Sequence, residues 1–275
     1  MTTATTLLLI CATAYALLCV VVFLVQGRLL FRPTRPLEST PADLGLAFED
    51  QWFELGPDER IHGWRVFCDS PRGRALFLHG NEGNIADRLE SLQVLNSMGL
   101  DVLAIDYPGY GQSTGSPSEE SCYRAARHCF DVLRQEQPNL PLIAWGRSMG
   151  GGVASALIGR QGLALLVLEA TFTSMPDVAQ MLYPWLPARW MSRLKFPTAE
   201  RLRHVQVPVL VVHSRDDEML PFAHGQALAA AAGERGTFIE ISGTHGRGYF
   251  TSGEAYLAPL RRFLDENLPA PGSDL

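Results

Sequence analysis

The chain of 275 residues is 47% hydrophobic and 19% charged, enough apolar material to bury one large core. Its net charge of −6 and its lack of a basic cluster argue against a nucleic-acid partner. The sequence has no zinc-type Cys/His spacing, Walker sequence or dinucleotide fingerprint, so we expect neither a metal nor a cofactor.

The N-terminal segment differs from the rest of the chain. Every residue from Leu7 to Val25 is apolar except Thr13, and as a helix this run spans about 28 Å, close to the thickness of bilayer hydrocarbon. We therefore predict a transmembrane helix over residues 5–26. A secretory signal peptide is the alternative, but the start lacks basic residues and no Ala-x-Ala cleavage site follows.

Basic residues flank this apolar run on one side only, at Arg28, Arg32 and Arg35. By the positive-inside rule we expect a single-pass membrane protein whose remaining residues lie in the cytoplasm. Several prolines predict an extended juxtamembrane connector over residues 27–45.

Short apolar runs then alternate with amphipathic stretches. The predicted strands cover residues 47–55, 61–67, 75–78, 102–105, 142–145, 164–168, 209–212 and 238–241. The main predicted helices cover residues 85–98, 119–135, 151–158, 226–232 and 254–264. Such alternation predicts a mainly parallel sheet with helices on both faces. We assign residues 46–268 to this α/β domain and residues 269–275 to a C-terminal tail.

One interval, residues 171–204, contains no predicted strand and is rich in apolar and aromatic residues. In open α/β sheets, ligands bind beyond the carboxyl ends of the strands. The 171–204 segment is therefore a candidate cap insertion over a binding site. A surface excursion packed on the core is the alternative.

The stretch Gly146-Arg147-Ser148-Met149-Gly150 lies between an apolar strand and a helix-like run. This context is typical of a nucleophile elbow, in which the serine occupies a tight turn. A serine hydroxyl becomes nucleophilic when a base, best an imidazole, removes its proton, and a carboxylate must orient that imidazole. In this arrangement the acid and then the histidine follow the serine along the chain.

Two histidines follow the strand that precedes the acidic turn, His224 at the start of a helix and His245 in a glycine-flanked loop. The loop position and the chain order favour His245 as the base. The acidic turn favours Asp217 as the acid, because of its spacing to the following Leu-Pro pair. Asp216 and Glu169 remain alternatives.

An oxyanion hole needs two backbone N–H donors. One is expected from Met149, directly after the serine. The other is expected from Asn81, in the loop His79-Gly80-Asn81-Glu82-Gly83-Asn84, where glycines permit a close backbone approach.

The chain resembles the membrane-anchored α/β-hydrolase-domain proteins, relatives of lysophospholipid lipases and protein depalmitoylases. The resemblance covers nearly all of the chain after the N-terminal run and departs from the family pattern at Gly246, where an Asn often follows the histidine. It lies in residues 79–84, 106–111, 145–151, 169–174, 183–186 and 217–221. It implies an α/β-hydrolase fold with Ser148, Asp217 and His245 as the catalytic triad.

We therefore expect a serine hydrolase that cleaves carboxylic esters or thioesters through an acyl-enzyme. The apolar N-terminal run and the aromatic 171–204 segment suggest a small-molecule or lipid ester substrate presented at a membrane. The alternatives are a soluble short-chain ester or amide hydrolase and a catalytically silent membrane scaffold.

Overall fold

In the computed structural model, which describes residues 2–270, the chain begins with helix α1 over Thr3–Leu30. None of its residues is buried, and an 18-residue window has a mean hydropathy of 2.9. The predicted apolar helix is confirmed, and its length and composition suffice to cross a membrane. It continues past the expected end at residue 26, because Gly27 alone does not break it. Arg32, which precedes Pro33, is restricted to extended backbone, so the helix ends before it.

The remaining elements are numbered in chain order. The strands are β1 Arg32–Pro33, β2 Phe48–Gly56, β3 Glu59–Val66, β4 Gly73–Leu78, β5 Glu82–Gly83, β6 Leu100–Ile105, β7 Leu142–Arg147, β8 Leu163–Glu169, β9 Val209–Ser214 and β10 Gly236–Ile241. The helices are α2 Leu89–Ser97, α3 Glu119–Glu136, α4 Met149–Ala154, α5 Met175–Leu182, α6 Ala188–Met191, α7 Thr198–Leu202, α8 Phe222–Ala232, α9 Gly248–Ser252 and α10 Glu254–Asn267. Short 3₁₀ turns cover Pro41–Leu44, Ile85–Arg88, Ser155–Leu157 and Gly233–Arg235.

Eight strands form one sheet in the order β10-β9-β8-β7-β4-β6-β3-β2. The hairpin β2–β3 is antiparallel and pairs antiparallel with β6, while the other neighbours are parallel. Every residue of β4, β6, β7 and β9 is buried, as expected for parallel strands covered on both faces. The predicted mainly parallel sheet is confirmed.

Helices cover both faces of the sheet and divide the core in two. On one face, Phe130 of α3, Val153 of α4 and Leu228 of α8 join a single apolar cluster. On the other face, Leu92 of α2 and Phe263 of α10 join a second cluster. These side chains are buried because their helices are amphipathic or apolar, so helix packing rather than helix propensity fixes the layers.

The carboxyl ends of the parallel strands meet at one edge of the sheet. The loop of residues 79–84 follows β4, Ser148 follows β7, and the 171–204 segment follows β8. Asp217 follows β9 and His245 follows β10. The topology therefore gathers the chemically active residues, which lie far apart in sequence, at this edge.

The expected connector differs in part from the structure. Part of the expected connector over residues 27–45 is ordered backbone, because β1 pairs in parallel with β5. The 171–204 segment holds the helices α5, α6 and α7 and exposes several large apolar side chains. Of the expected tail 269–275, residues 271–275 lie outside the described residues.

Candidate active site

Strand β7 passes into α4 through a sharp turn at Ser148. This residue has φ 53° and ψ −122°, a backbone conformation that residues with side chains rarely adopt. A Cβ on Gly146 would overlap the Gly150 carbonyl, and a Cβ on Gly150 would overlap the Leu78 carbonyl of β4. Both glycines are therefore steric requirements of the turn. The Ser148 N–H donates to the Glu169 carbonyl at 2.9 Å, and this hydrogen bond holds Ser148 against the end of β8.

Three of the predicted residues form a hydrogen-bonded chain. Ser148 Oγ lies 3.0 Å from His245 Nε2, and His245 Nδ1 lies 2.7 Å from Asp217 Oδ2. The Asp217 side chain is buried, and that of His245 is 12% exposed. Because a carboxylate only accepts hydrogen bonds, the proton of the neutral imidazole belongs on Nδ1. His245 Nε2 is then free to accept the proton of the Ser148 hydroxyl.

Backbone donors hold the Asp217 carboxylate on its other side. Its Oδ1 accepts from the N–H groups of Leu220 at 2.7 Å and Met219 at 2.9 Å. Burial tends to raise the pKa of Asp217, but the hydrogen bonds from His245 and the two N–H groups outweigh it, so the pKa lies below its usual value. Nearby, burial lowers the pKa of His213, which keeps its ring neutral beside the carboxylate. Asp217 is therefore ionised at neutral pH.

All three carboxylates of the acidic turn bind the loop that carries His245. Asp217 contacts the imidazole, Asp216 accepts from the Gly243 N–H at 3.0 Å, and Glu218 accepts from the His245 N–H at 3.0 Å. The turn thus fixes both the ring and the backbone of His245. The hydrogen bonds of Asp216 and Glu218 to this loop were not predicted, although the three consecutive carboxylates were their signal.

The alternative acid and base have other partners. His224 Nδ1 lies 3.0 Å from the Thr173 hydroxyl. Glu169 accepts from the Arg147 guanidinium at 2.8 and 3.0 Å and from the Tyr256 hydroxyl. The geometry therefore brings His245, rather than His224, to the serine hydroxyl, and Asp217, rather than Glu169, to the His245 imidazole.

The two residues expected to donate to an oxyanion lie next to Ser148. Met149 is the first residue of α4, so its N–H has no acceptor within that helix. Asn81 and Met149 line one cavity together with Ser148 and His245. A Cβ placed on Gly80 would lie 3.4 Å from the Ser148 Cβ. The backbone of the loop of residues 79–84 therefore runs close to the serine.

Hydrogen bonds from two tyrosines fix the loop of residues 79–84. The Tyr107 hydroxyl donates to the His79 carbonyl at 2.8 Å, and the Tyr110 hydroxyl donates to the Asn81 carbonyl at 2.7 Å. The Asn81 side chain donates to the Leu30 carbonyl at 2.7 Å. The end of α1 is thus hydrogen-bonded directly to the loop beside Ser148.

The cavity at Ser148 has a volume of about 290 Å³. Its walls come from α1, the loop of residues 79–84, the 171–204 segment and the acidic turn. Most of the wall is apolar. The contribution of the 171–204 segment includes Phe172, Met175, Val178, Ala179, Leu182 and Leu186.

A relative of similar length decides the family. The α/β hydrolase domain-containing protein WAV2 of Arabidopsis thaliana is 31% identical over 273 residues, which cover 89% of each chain. The chain belongs to the α/β-hydrolase-domain family. A family profile described as serine aminopeptidase, S33, also matches residues 69–202.

Two further comparisons bear on this α/β-hydrolase-domain protein. The lysophosphatidylserine lipase ABHD12 of Mus musculus is 33% identical over 186 residues, which cover 60% of this chain and 47% of the lipase. The structure of the esterase Pf2001 of Pyrococcus furiosus superposes with a TM-score of 0.73 at 16% identity, over 87% of this chain and 99% of the esterase. The predicted α/β-hydrolase fold is confirmed.

Arg147, the residue before Ser148 in this hydrolase-family chain, was not predicted from the sequence to have a role. Its guanidinium pairs with Glu169, donates to the Ser91 hydroxyl at 2.8 Å and lies 3.7 Å from the ring centre of Tyr249. Burial lowers the pKa of Arg147, but the Glu169 carboxylate outweighs burial and keeps the pKa above its usual value. A charged residue in an otherwise apolar strand end was the signal for this buried network.

The described residues contain no group of three or more His, Cys, Asp or Glu side chains placed to hold a metal ion.

Proposed function

We propose that the protein is a serine hydrolase that cleaves carboxylic esters or thioesters through an acyl-enzyme. The observation that carries this proposal is the hydrogen-bonded chain Ser148–His245–Asp217, with distances of 3.0 and 2.7 Å, at the end of a strained elbow. A nucleophile, a base and an orienting carboxylate at these distances are the parts that acyl transfer needs.

In the proposed reaction, His245 Nε2 takes the hydroxyl proton of Ser148 as Oγ attacks the acyl carbon. The ionised Asp217 stabilises the imidazolium that forms. The backbone N–H groups of Asn81 and Met149 stabilise the oxyanion, each by about 3 kcal/mol. His245 then protonates the leaving alcohol or thiol. A water molecule, deprotonated by His245, attacks the acyl-enzyme, which releases the carboxylic acid and restores the serine.

An acyl lipid or another acylated molecule near a membrane is the substrate class that we propose. The apolar cavity wall supports it, because an acyl chain gains free energy by leaving water for such a surface. The name of the related lysophosphatidylserine lipase supports it independently. We assign the 171–204 segment, which lines this cavity, as the cap over the site.

We further propose that α1 anchors the protein in a membrane as a single span with the hydrolase-like part in the cytoplasm. Helix length and composition support the span, and Arg28, Arg32 and Arg35 on one flank support the orientation. A glycosylation acceptor fused after residue 275 tests the orientation. Its glycosylation in the secretory pathway would contradict a cytoplasmic location.

The substitution Ser148→Ala tests the proposed chemistry. It should abolish labelling by a fluorophosphonate probe and lower the hydrolysis of p-nitrophenyl butyrate by at least about a thousandfold, since the triad acts as a unit. Ser97→Ala is the matched control, because the Ser97 hydroxyl is exposed and donates only to its own helix. Full labelling of Ser148→Ala would refute the assignment of the nucleophile.

A further inference from the structure

Helix α1 forms part of the cavity at Ser148. Its contribution consists of Val22, Phe23, Gln26, Leu29 and Leu30. These positions are spaced by one, three or four residues and therefore lie on one face of the helix. Leu24, on another face, is 65% exposed. One side of α1 thus faces the cavity, while other sides remain uncovered.

Polar contacts fix α1 against the 171–204 segment along about half of its length. The Tyr15 hydroxyl donates to the Trp185 carbonyl at 2.9 Å. Further along the helix, the Gln26 side chain accepts from the Arg193 N–H at 2.7 Å and donates to the Met191 carbonyl at 3.4 Å. The cavity therefore lies between a helix suited to a membrane and a segment docked on that helix.

The length of α1 places the contact between Tyr15 and Trp185 below the membrane surface. At 1.5 Å per residue, its 28 residues span about 42 Å, roughly 12 Å more than bilayer hydrocarbon. With the N-terminal end of α1 at one surface of the bilayer hydrocarbon, Tyr15 lies about 10 Å inside the opposite surface, the one nearer to the rest of the chain. Trp185, bonded to Tyr15, then lies at a comparable depth, which interfacial protein segments commonly reach.

The exposed side chains of the 171–204 segment suit this depth. Leu182, Trp185 and Trp190 are 54%, 55% and 89% exposed, and each faces the surroundings as a large apolar group. Such exposure is costly in water and favourable in the interfacial region of a bilayer, where aromatic side chains concentrate.

We propose that α1 and the 171–204 segment form a lateral entrance, through which one acyl chain of a lipid ester passes from the bilayer to Ser148 without crossing water. This inference rests on the proposed serine-hydrolase function. A dry cavity of about 150 Å³ holds benzene, so about 290 Å³ suits roughly a dozen apolar carbons. The cavity therefore accepts one acyl chain of the lipid ester rather than two.

The test compares two esters with the same leaving group, 4-methylumbelliferyl palmitate and butyrate, on full-length protein in phosphatidylcholine vesicles. Val22→Trp fills the cavity from the α1 side, and Ala179→Trp fills it from α5. Each should lower the palmitate-to-butyrate ratio of kcat/KM at least tenfold. Leu24→Trp places the same side chain on an uncovered face and should leave the ratio within twofold.

An unchanged ratio in both cavity variants, or an equal fall in Leu24→Trp, overturns the lateral entrance. If the serine-hydrolase proposal itself is wrong, the result is different. Hydrolysis of neither ester by the wild-type protein would then depend on Ser148. Fluorophosphonate labelling of Ser148 in each variant shows whether the nucleophile is intact. A fall in the ratio with labelling retained supports the entrance.

Discussion

The region beneath Ser148 and the 171–204 segment are built in opposite ways. Under the elbow, Arg147, Glu169 and Tyr256 are buried and hydrogen-bonded to one another or to neighbouring elements. In the 171–204 segment, Trp190 is 89% exposed, and the ion pair Arg189–Asp177 lies at the surface.

This difference follows from what each region has to do. Proton transfer between Ser148 and His245 needs donor and acceptor atoms held within hydrogen-bonding distance, and a close-packed interior provides such rigidity. Contact with an apolar acyl chain needs accessible apolar surface rather than fixed polar geometry. The molecule thus places a buried ionic network where we propose the chemistry and exposed aromatic side chains where we propose the lipid.

The largest effect should come from breaking the rigid region at Asp217. Asp217→Asn removes the charge that orients His245 and should lower kcat on p-nitrophenyl butyrate by about 10⁴-fold. Asp216→Asn is the matched control, because Asp216 contacts only the loop backbone of Gly243. We expect it to lower kcat by less than tenfold. Equal losses in the two variants would show that the turn acts only as a scaffold.

A smaller effect should follow from removing a buried charge beneath the elbow. Arg147→Met leaves the Glu169 carboxylate buried without its cation and should lower the free energy of unfolding by about 3–5 kcal/mol, measured by denaturant titration in detergent.

The matched control for that variant lies in the 171–204 segment. Arg189→Met removes an arginine that is 61% exposed and paired with Asp177. Solvent screens such a pair, so the free energy of unfolding should fall by at most about 1 kcal/mol. If the two variants were equally destabilised, the contrast between the regions would not hold.

The smallest effect on stability is expected at the exposed aromatic surface. Trp190→Ser should change the free energy of unfolding by less than about 0.5 kcal/mol, because its side chain is almost fully exposed. In vesicles of brominated lipid, however, Trp190→Ser should reduce the quenching of tryptophan fluorescence. Trp52→Ser, on the β2–β3 hairpin, should not. Equal quenching in the wild type and Trp190→Ser would show that Trp190 does not lie in the bilayer.

Local patterns were enough to predict most of the fold. Alternating apolar strands and amphipathic helices predicted the mainly parallel sheet, because a buried strand and a helix each have their own periodicity. The extent of α1 and the start of α8 at Phe222 differed from expectation, since helix ends depend on contacts beyond the local pattern. The β1–β5 pairing was missed because two-residue strands have no periodicity.

For the candidate site, the sequence determined which chemical groups are present and their order: a serine in a glycine-flanked turn, then a carboxylate, then a histidine. Chain connectivity fixes that order, and the sterics of the turn require Gly146 and Gly150.

Only the tertiary structure decided which histidine contacts Ser148 and which carboxylate contacts that histidine. His245 is 97 residues from Ser148 and 28 residues from Asp217 in the sequence, and the order of the strands brings the three together. The tertiary structure also decided that α1 lines the cavity, since an apolar helix carries no local signal of what packs against it.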